Sequence, residues 1–135
     1  SAAGRVVLDL SASHPAFIPP LQLDRLLGKI LRNARQAIQG DRGRVFVRTR
    51  DGGGSVWIEI QDEGCGIPPE HLNRVFEPFF STRGVGQGIG LGLTAAYGIA
   101  RRHGGDIEVR SQPGRGATFS VRLLAAVAEG SATAA

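Results

Sequence analysis

The chain has 135 residues, the length of one ordinary domain, enough to bury a core without disulfide or metal staples. Its hydrophobic fraction of 41% and charged fraction of 21% exclude wholesale disorder, its apolar runs are too short to span a bilayer with a helix, and its one cysteine excludes an internal disulfide or a cysteine-based zinc site. The 16 basic residues, all Arg except Lys29, exceed the 12 acidic ones but form no run, which argues against a nucleic-acid tail and leaves room for a basic anion site.

Residues 5–10 (RVVLDL) read as a strand, and residues 11–20 as a loop closed by Pro19 and Pro20. From Leu23 the apolar residues Leu26, Leu27, Ile30, Leu31, Ala34, Ala37 and Ile38 follow the stripe of an amphipathic helix, with Gly40 as its expected stop. Residues 44–50 and 55–61 alternate apolar with polar and flank Asp51 and three glycines, a β-hairpin pattern. A glycine-rich loop follows at 62–68, then a short helix at 69–75 with Pro69 at its start, then loop to residue 90. A second helix is expected at 91–103, ended by Gly104 and Gly105, and two more strands at 106–111 and 117–124. The small residues of 125–135 read as a flexible tail after a domain at 1–124. There is no repeat and no regular βαβ alternation. The fold expected is therefore α/β (α+β), a two-layer sandwich with a mixed sheet of about five strands and helices on one face. With no Met and no signal-like opening, the chain reads as a fragment of a longer cytoplasmic protein.

Three glycine stretches stand out: Asp-Glu-Gly-Cys-Gly at 62–66, Gly-Gln-Gly-Ile-Gly-Leu-Gly at 86–92, and Gly-Arg-Gly at 114–116. Taken singly, each means only a tight turn. The second is more informative. Alternate glycines bare the backbone N–H groups and lead into a helix N-terminus, where free donors and the helix dipole favour an anion such as a phosphate chain. It has neither the Lys-Ser/Thr ending of a P-loop nor the preceding strand of a Rossmann turn. On the first helix, Asn33 lies at the border of the apolar stripe with Lys29 and Gln36 on the same flank. Such a strip is either a solvated side or the wall of a cleft, and an Asn carbonyl oxygen suits a hard cation such as Mg²⁺.

Together these stretches resemble the ATP-binding catalytic domain of sensor histidine kinases, which has the Bergerat-type ATP-binding fold of the superfamily shared with gyrase, the mismatch-repair ATPases and the ATP-dependent chaperones. Five blocks carry the resemblance in the family's order. They are Leu-Arg-Asn-Ala-Arg-Gln-Ala at 31–37, Asp-Glu-Gly-Cys-Gly-Ile at 62–67, Val-Phe-Glu-Pro-Phe-Phe at 75–80, Gly-Gln-Gly-Ile-Gly-Leu-Gly-Leu at 86–93, and Gly-Arg-Gly-Ala-Thr-Phe at 114–119. The resemblance implies that Asn33 holds a Mg²⁺ bridging the ATP phosphates, with Gln36 nearby. It implies that Asp62 accepts from the adenine amino group, that Gly64 and Gly66 let the loop pass close to the base, and that Ile67 lines the pocket. Gly86, Gly88, Gly90, Leu91, Gly92 and Leu93 would form the phosphate segment, and Thr118 would join the adenine-side network. Phe76, Phe79 and Phe80 would anchor a lid, a core role being an equal alternative for each. The lid is short, as in nitrogen-regulation and oxygen-sensing kinases, and Arg83 within it would steady charge on the γ-phosphoryl group. Glu63 reads as a solvated loop residue, and Cys65 as an inert small side chain.

Lys29 stands where hydrolytic relatives carry a Glu base, so efficient ATP hydrolysis is not expected; Lys29 is either a phosphate contact or solvated. Ile89 replaces a small hydroxyl residue. No phosphoacceptor is recognisable, because His14, His71 and His103 lie outside any acceptor-like helix. The resemblance therefore implies Mg·ATP binding and transfer of the γ-phosphoryl group to a histidine on a separate dimerisation domain of the same protein. A full-length homodimer and a downstream response regulator would complete the system, with no nucleic-acid partner. An anti-sigma-factor serine kinase and a non-catalytic nucleotide-binding module are the competing readings.

Overall fold

A computed structural model describes residues 5–10, 16–38, 43–78, 92–112 and 114–126. The elements run β1 (Arg5–Leu10), α1 (Pro20–Ala37), β2 (Arg44–Gly52), β3 (Ser55–Asp62), a 3-10 turn (Pro69–His71), α2 (Gly92–Arg102), β4 (Asp106–Ser111) and β5 (Ala117–Leu124). One five-stranded sheet has the order β1-β2-β3-β5-β4, with β1 parallel to β2 and the other pairs antiparallel. The mixed five-stranded sheet and the helical layer agree with the architecture expected from the sequence.

The strand alternation decides the layering. Val45, Val56, Ile58, Ile60, Ile107, Phe119, Val121 and Leu123 are buried, and the strand registers place them on one face. Leu26, Ile30 and Ala34 of α1 and Ala96, Ile99 and Ala100 of α2 complete that core. Full burial of a side chain such as Leu26 or Ile30 contributes about 1.5–3 kcal/mol. The opposite face carries Phe46, Arg48, Arg50 and Trp57. Arg48 lies over the Phe46 ring at 5.4 Å and Arg50 over Trp57 at 4.9 Å, arrangements that use the cation–π attraction.

Several boundaries differ from the sequence reading. Pro19 and Pro20 open α1: Pro20 is its first residue, where a missing N–H costs nothing, and Leu23 N–H donates to Pro19 C=O at 3.0 Å. The helix ends at Ala37, ahead of Gly40, because Ile38 turns extended (φ −77°, ψ 128°) and is buried. In the hairpin the turn proper is only Gly53-Gly54, with φ of 60° and 76° matching a two-residue type I′ turn. The short helix expected at 69–75 is a single 3-10 turn followed by further turns, in which Arg74 N–H donates to His71 C=O and Glu77 N–H to Arg74 C=O, both at 2.9 Å. These bonds span three residues, so the chain winds tightly instead of forming an α-helix. α2 ends in a Schellman pair, Gly105 N–H to Ala100 C=O at 2.8 Å and Gly104 N–H to Arg101 C=O at 3.2 Å. At the expected tail, Ala125 is still tied in: it bridges Ala16 and its N–H donates to Gly54 C=O at 3.0 Å, while residues 127–135 lie outside the described residues.

Candidate functional site

β3 runs Ile58, Ile60, Asp62 along its core face, so the alternation that buries the isoleucines also buries a carboxylate. Asp62 is 1% exposed and lies across the ladder from Val45 on one side and Ala117 on the other. Its Oδ1 accepts the N–H of Gly64 at 2.9 Å and of Ala117 at 3.3 Å. Its Oδ2 is buried and has no hydrogen-bond partner among the described residues. Burial pushes the carboxyl above its ordinary value, against the pull of those two amides. A buried acceptor without a donor is costly, and a ligand N–H would relieve the cost.

The loop after Asp62 is held from three sides. Cys65 N–H donates to the C=O of Ala37, the last residue of α1, at 3.2 Å. Gly114 N–H donates to Cys65 C=O at 2.8 Å, and Ile67 N–H to Ser111 Oγ at 2.7 Å. The first and third glycine stretches are thus one interlocked structure. Gly116 shows why glycine is needed: its φ is 81°, and a Cβ there would strike the Asp62 carbonyl. Gly64 lies against Ala37 in the same close manner. The polar flank of α1 ends at this loop. Asn33 is half-buried one turn before Ala37, about 6 Å of helical rise. Lys29, half-buried, is a further turn back, and Gln36 is exposed.

The structure therefore brings the Asn33 flank, Asp62, Gly64 and Gly66 to one end of the sheet. Ile67, Phe76 and Leu93 pack against the core. Phe76 stacks on Tyr97 at 4.9 Å and meets Phe119 edge-on at 6.3 Å, and its C=O accepts Thr94 Oγ1 at 2.8 Å, so ring and backbone tie Phe76 to α2 and β5. Of its proposed roles, the core anchor is the one observed. Gly92 opens α2. Arg83, Gly86, Gly88, Gly90, Leu91, Phe79 and Phe80 lie outside the described residues, as do Ile89 and His14.

Thr118 is a correction. It pairs with Gln61 and Arg110, on the face opposite Asp62, because adjacent strand residues point to opposite sides. The residue beside Asp62 is Ala117, which offers a backbone N–H and no hydroxyl. Glu63, expected to be solvated, is exposed but paired with Arg44, at 3.1 Å to Nε and 3.2 Å to Nη2, and this guanidinium holds its carboxyl below the usual range. Cys65 is exposed, with its backbone N–H and C=O both engaged. Ser111 lies outside every motif, and the block at 31–37 gave no sign that the Ala37 carbonyl would hold the loop. Among the described residues no three His, Cys, Asp or Glu side chains gather as a metal cage. A Mg²⁺ would find an oxygen at Asn33 and would draw its remaining ligands from phosphate oxygens and water, as that ion commonly does.

Residues 19–127 match the family model described as histidine kinase-, DNA gyrase B- and HSP90-like ATPase. The chain belongs to this ATPase family. Within it, the similar proteins are sensor kinases. The sensor histidine kinase GtrS of Pseudomonas aeruginosa is 38% identical over 90% of this chain and 25% of its own length. The sensor histidine kinase ZraS of Escherichia coli is 39% identical over 77% of this chain and 22% of its own length. The solved structure of full-length ShkA in complex with AMPPNP superposes with a TM-score of 0.81 at 27% identity, covering 93% of this chain and 26% of that one. That of the mycobacterial sensor histidine kinase MprB gives 0.74 at 29% identity, covering 89% and 82%. The chain spans between about a tenth and a quarter of the length of the curated relatives it matches. It is thus an ATP-binding catalytic domain of the sensor histidine kinase type. No helix among the described residues is long and apolar enough to cross a membrane.

Proposed function

We propose that this domain binds Mg·ATP and donates the γ-phosphoryl group to a histidine on a separate dimerisation domain of the same, longer, homodimeric protein, which passes it to a response regulator. The observation that carries this reading is the buried Asp62, with one oxygen held by two amides and the other without a partner among the described residues. An acceptor without a donor selects an exocyclic amine, and the glycines around it leave room for a flat base. The similar ShkA structure was solved in complex with AMPPNP, which supports a nucleotide ligand for this domain. The names of the similar sensor kinases favour this reading over an anti-sigma-factor serine kinase or a silent binding module.

In this reading Asp62 orients the base, and Asn33 supplies an oxygen toward the Mg²⁺, which would neutralise phosphate charge when bound. By the family resemblance, Gly86, Gly88, Gly90 and Gly92 would offer backbone donors to the phosphates, and Arg83 would steady charge on the γ-phosphoryl group. Lys29 is a phosphate contact or a solvated residue. The chemistry is mostly positioning and charge neutralisation. Residues 1–124 form the domain, and the protein works on the cytoplasmic side. The test is to mix the domain, γ-labelled ATP and Mg²⁺ with the histidine-bearing remainder of the protein. Acid-labile label should appear on the remainder and depend on Asn33. Label on serine, or none in the presence of bound nucleotide, would overturn the transfer.

A further inference from the structure

Ser111 is the last residue of β4 and belongs to none of the glycine stretches. Its Oγ accepts the Ile67 N–H at 2.7 Å and donates to the Gly116 C=O at 2.7 Å. One hydroxyl therefore joins the far end of the Asp62 loop to the residue whose backbone lies against the Asp62 carbonyl. Further ties between the two segments are Gly114 N–H to Cys65 C=O, Ala117 N–H to Asp62 Oδ1 and the β3–β5 ladder pairing of Asp62 with Ala117. Among the described residues, Ser111 and Asp62 are the side chains in this joint.

The joint matters because both segments are soft. Gly66 and Gly116 each adopt a positive φ, near 76° and 81°, and glycine resists torsional drift less than any other residue. The direction of Asp62 Oδ2 is set by where the Gly64 and Ala117 amides hold Oδ1. The position of those amides depends in turn on the register between the two loops. A hydrogen bond is selective only when donor and acceptor meet at good distance and angle. We propose that Ser111 is a positioning residue for base recognition: its hydroxyl, bridging Ile67 and Gly116, fixes the direction of the free Asp62 oxygen. This rests on the reading that Asp62 accepts from the adenine amino group.

The experiment compares affinities for ATP and for purine riboside triphosphate, which lacks the 6-amino group. The parent domain should prefer ATP by about tenfold or more, the range expected of a hydrogen bond to a charged group. Ser111→Ala should lose most of that preference while its affinity for the analogue changes by less than about threefold, and Ser111→Thr, which keeps the hydroxyl, should restore it. A merely stabilising role would weaken both ligands equally and leave the ratio unchanged, which overturns the inference. Unchanged affinities in Ser111→Ala overturn it as well. If Ser111→Ala does not fold, Ser111→Cys, of similar volume with a weak donor, must show the same loss of preference. A parent domain that binds both ligands equally would instead sink the Asp62 reading itself, and the inference with it.

Discussion

Replacing Gly116 by alanine separates two costs that the structure superimposes. The first is conformational: Gly116 and Gly114 both sit at positive φ, 81° and 78°, where an L side chain costs roughly 1–2 kcal/mol. The second is steric and belongs to Gly116 alone. A Cβ there would strike the Asp62 carbonyl, backbone that cannot swing aside, whereas a Cβ at Gly114 meets no described atom within 4 Å. Forcing extra atoms into a packed site adds about 1–3 kcal/mol. Gly114→Ala should therefore cost about 1–2 kcal/mol, and Gly116→Ala about 2–5 kcal/mol, part of it as displacement of Asp62. Urea unfolding of both variants measures the difference, and nucleotide titration should show weakened ATP binding for Gly116→Ala only. Equal losses of stability, or unimpaired ATP binding in a folded Gly116→Ala, would refute the close contact between the two glycine loops.

Other consequences follow from the same geometry. Asp62→Asn should weaken ATP by about 1.5–3 kcal/mol, measured by calorimetric titration, because the amide can present a donor to the adenine amine. Thr118→Ala should leave ATP affinity unchanged; a marked loss would put Thr118 back on the adenine side. The Asp62 carboxyl lies above its ordinary 3.8, so it is harder to ionise in the folded state than in the unfolded one. Its contribution to the stability of the ligand-free fold is full below the unfolded value and is lost as pH rises to the folded one. ATP affinity should move the opposite way, rising as Asp62 ionises, and both trends should vanish in Asp62→Asn. Hydrolysis without an acceptor domain should be slow, since Lys29 cannot serve as a base and a general base typically contributes about 10²–10⁴-fold. Rapid phosphate release that disappears in Asn33→Ala would contradict this.

Much of the architecture was legible because its periodicities are clean. β4 and β5 fall at the residues expected, since alternating segments flank a Pro-Gly-Arg-Gly turn that leaves the pairing little freedom. The helix boundaries were less legible: Pro20 suits a first helical turn as well as a loop end, and burial of Ile38 stops α1 before its glycine. At the site, Asp62 was singled out by the resemblance of residues 62–67 to a family block, and the structure shows it buried at the end of β3. Its neighbour was not legible. A shift of one residue moves a side chain to the other face of a sheet, so Thr118 and Ala117 exchange roles once the register with Gln61 and Asp62 is fixed. Ser111 carried no signal because its partners, Ile67 and Gly116, are backbone groups set by folding and not by a spacing in the sequence.

The central question is whether this end of the sheet reads an adenine base. Thermal unfolding of the domain with Mg²⁺ and either ATP or GTP decides it. A ligand that binds only the folded state adds about 2.7 kcal/mol at a hundredfold excess over Kd, which for a domain of this size raises the melting temperature by roughly 5–15 °C. The expected result is that shift with ATP, little with GTP, and a fall to about half or less in Asp62→Asn. No shift with ATP, or equal shifts with both nucleotides, would contradict the assignment of Asp62 to the base.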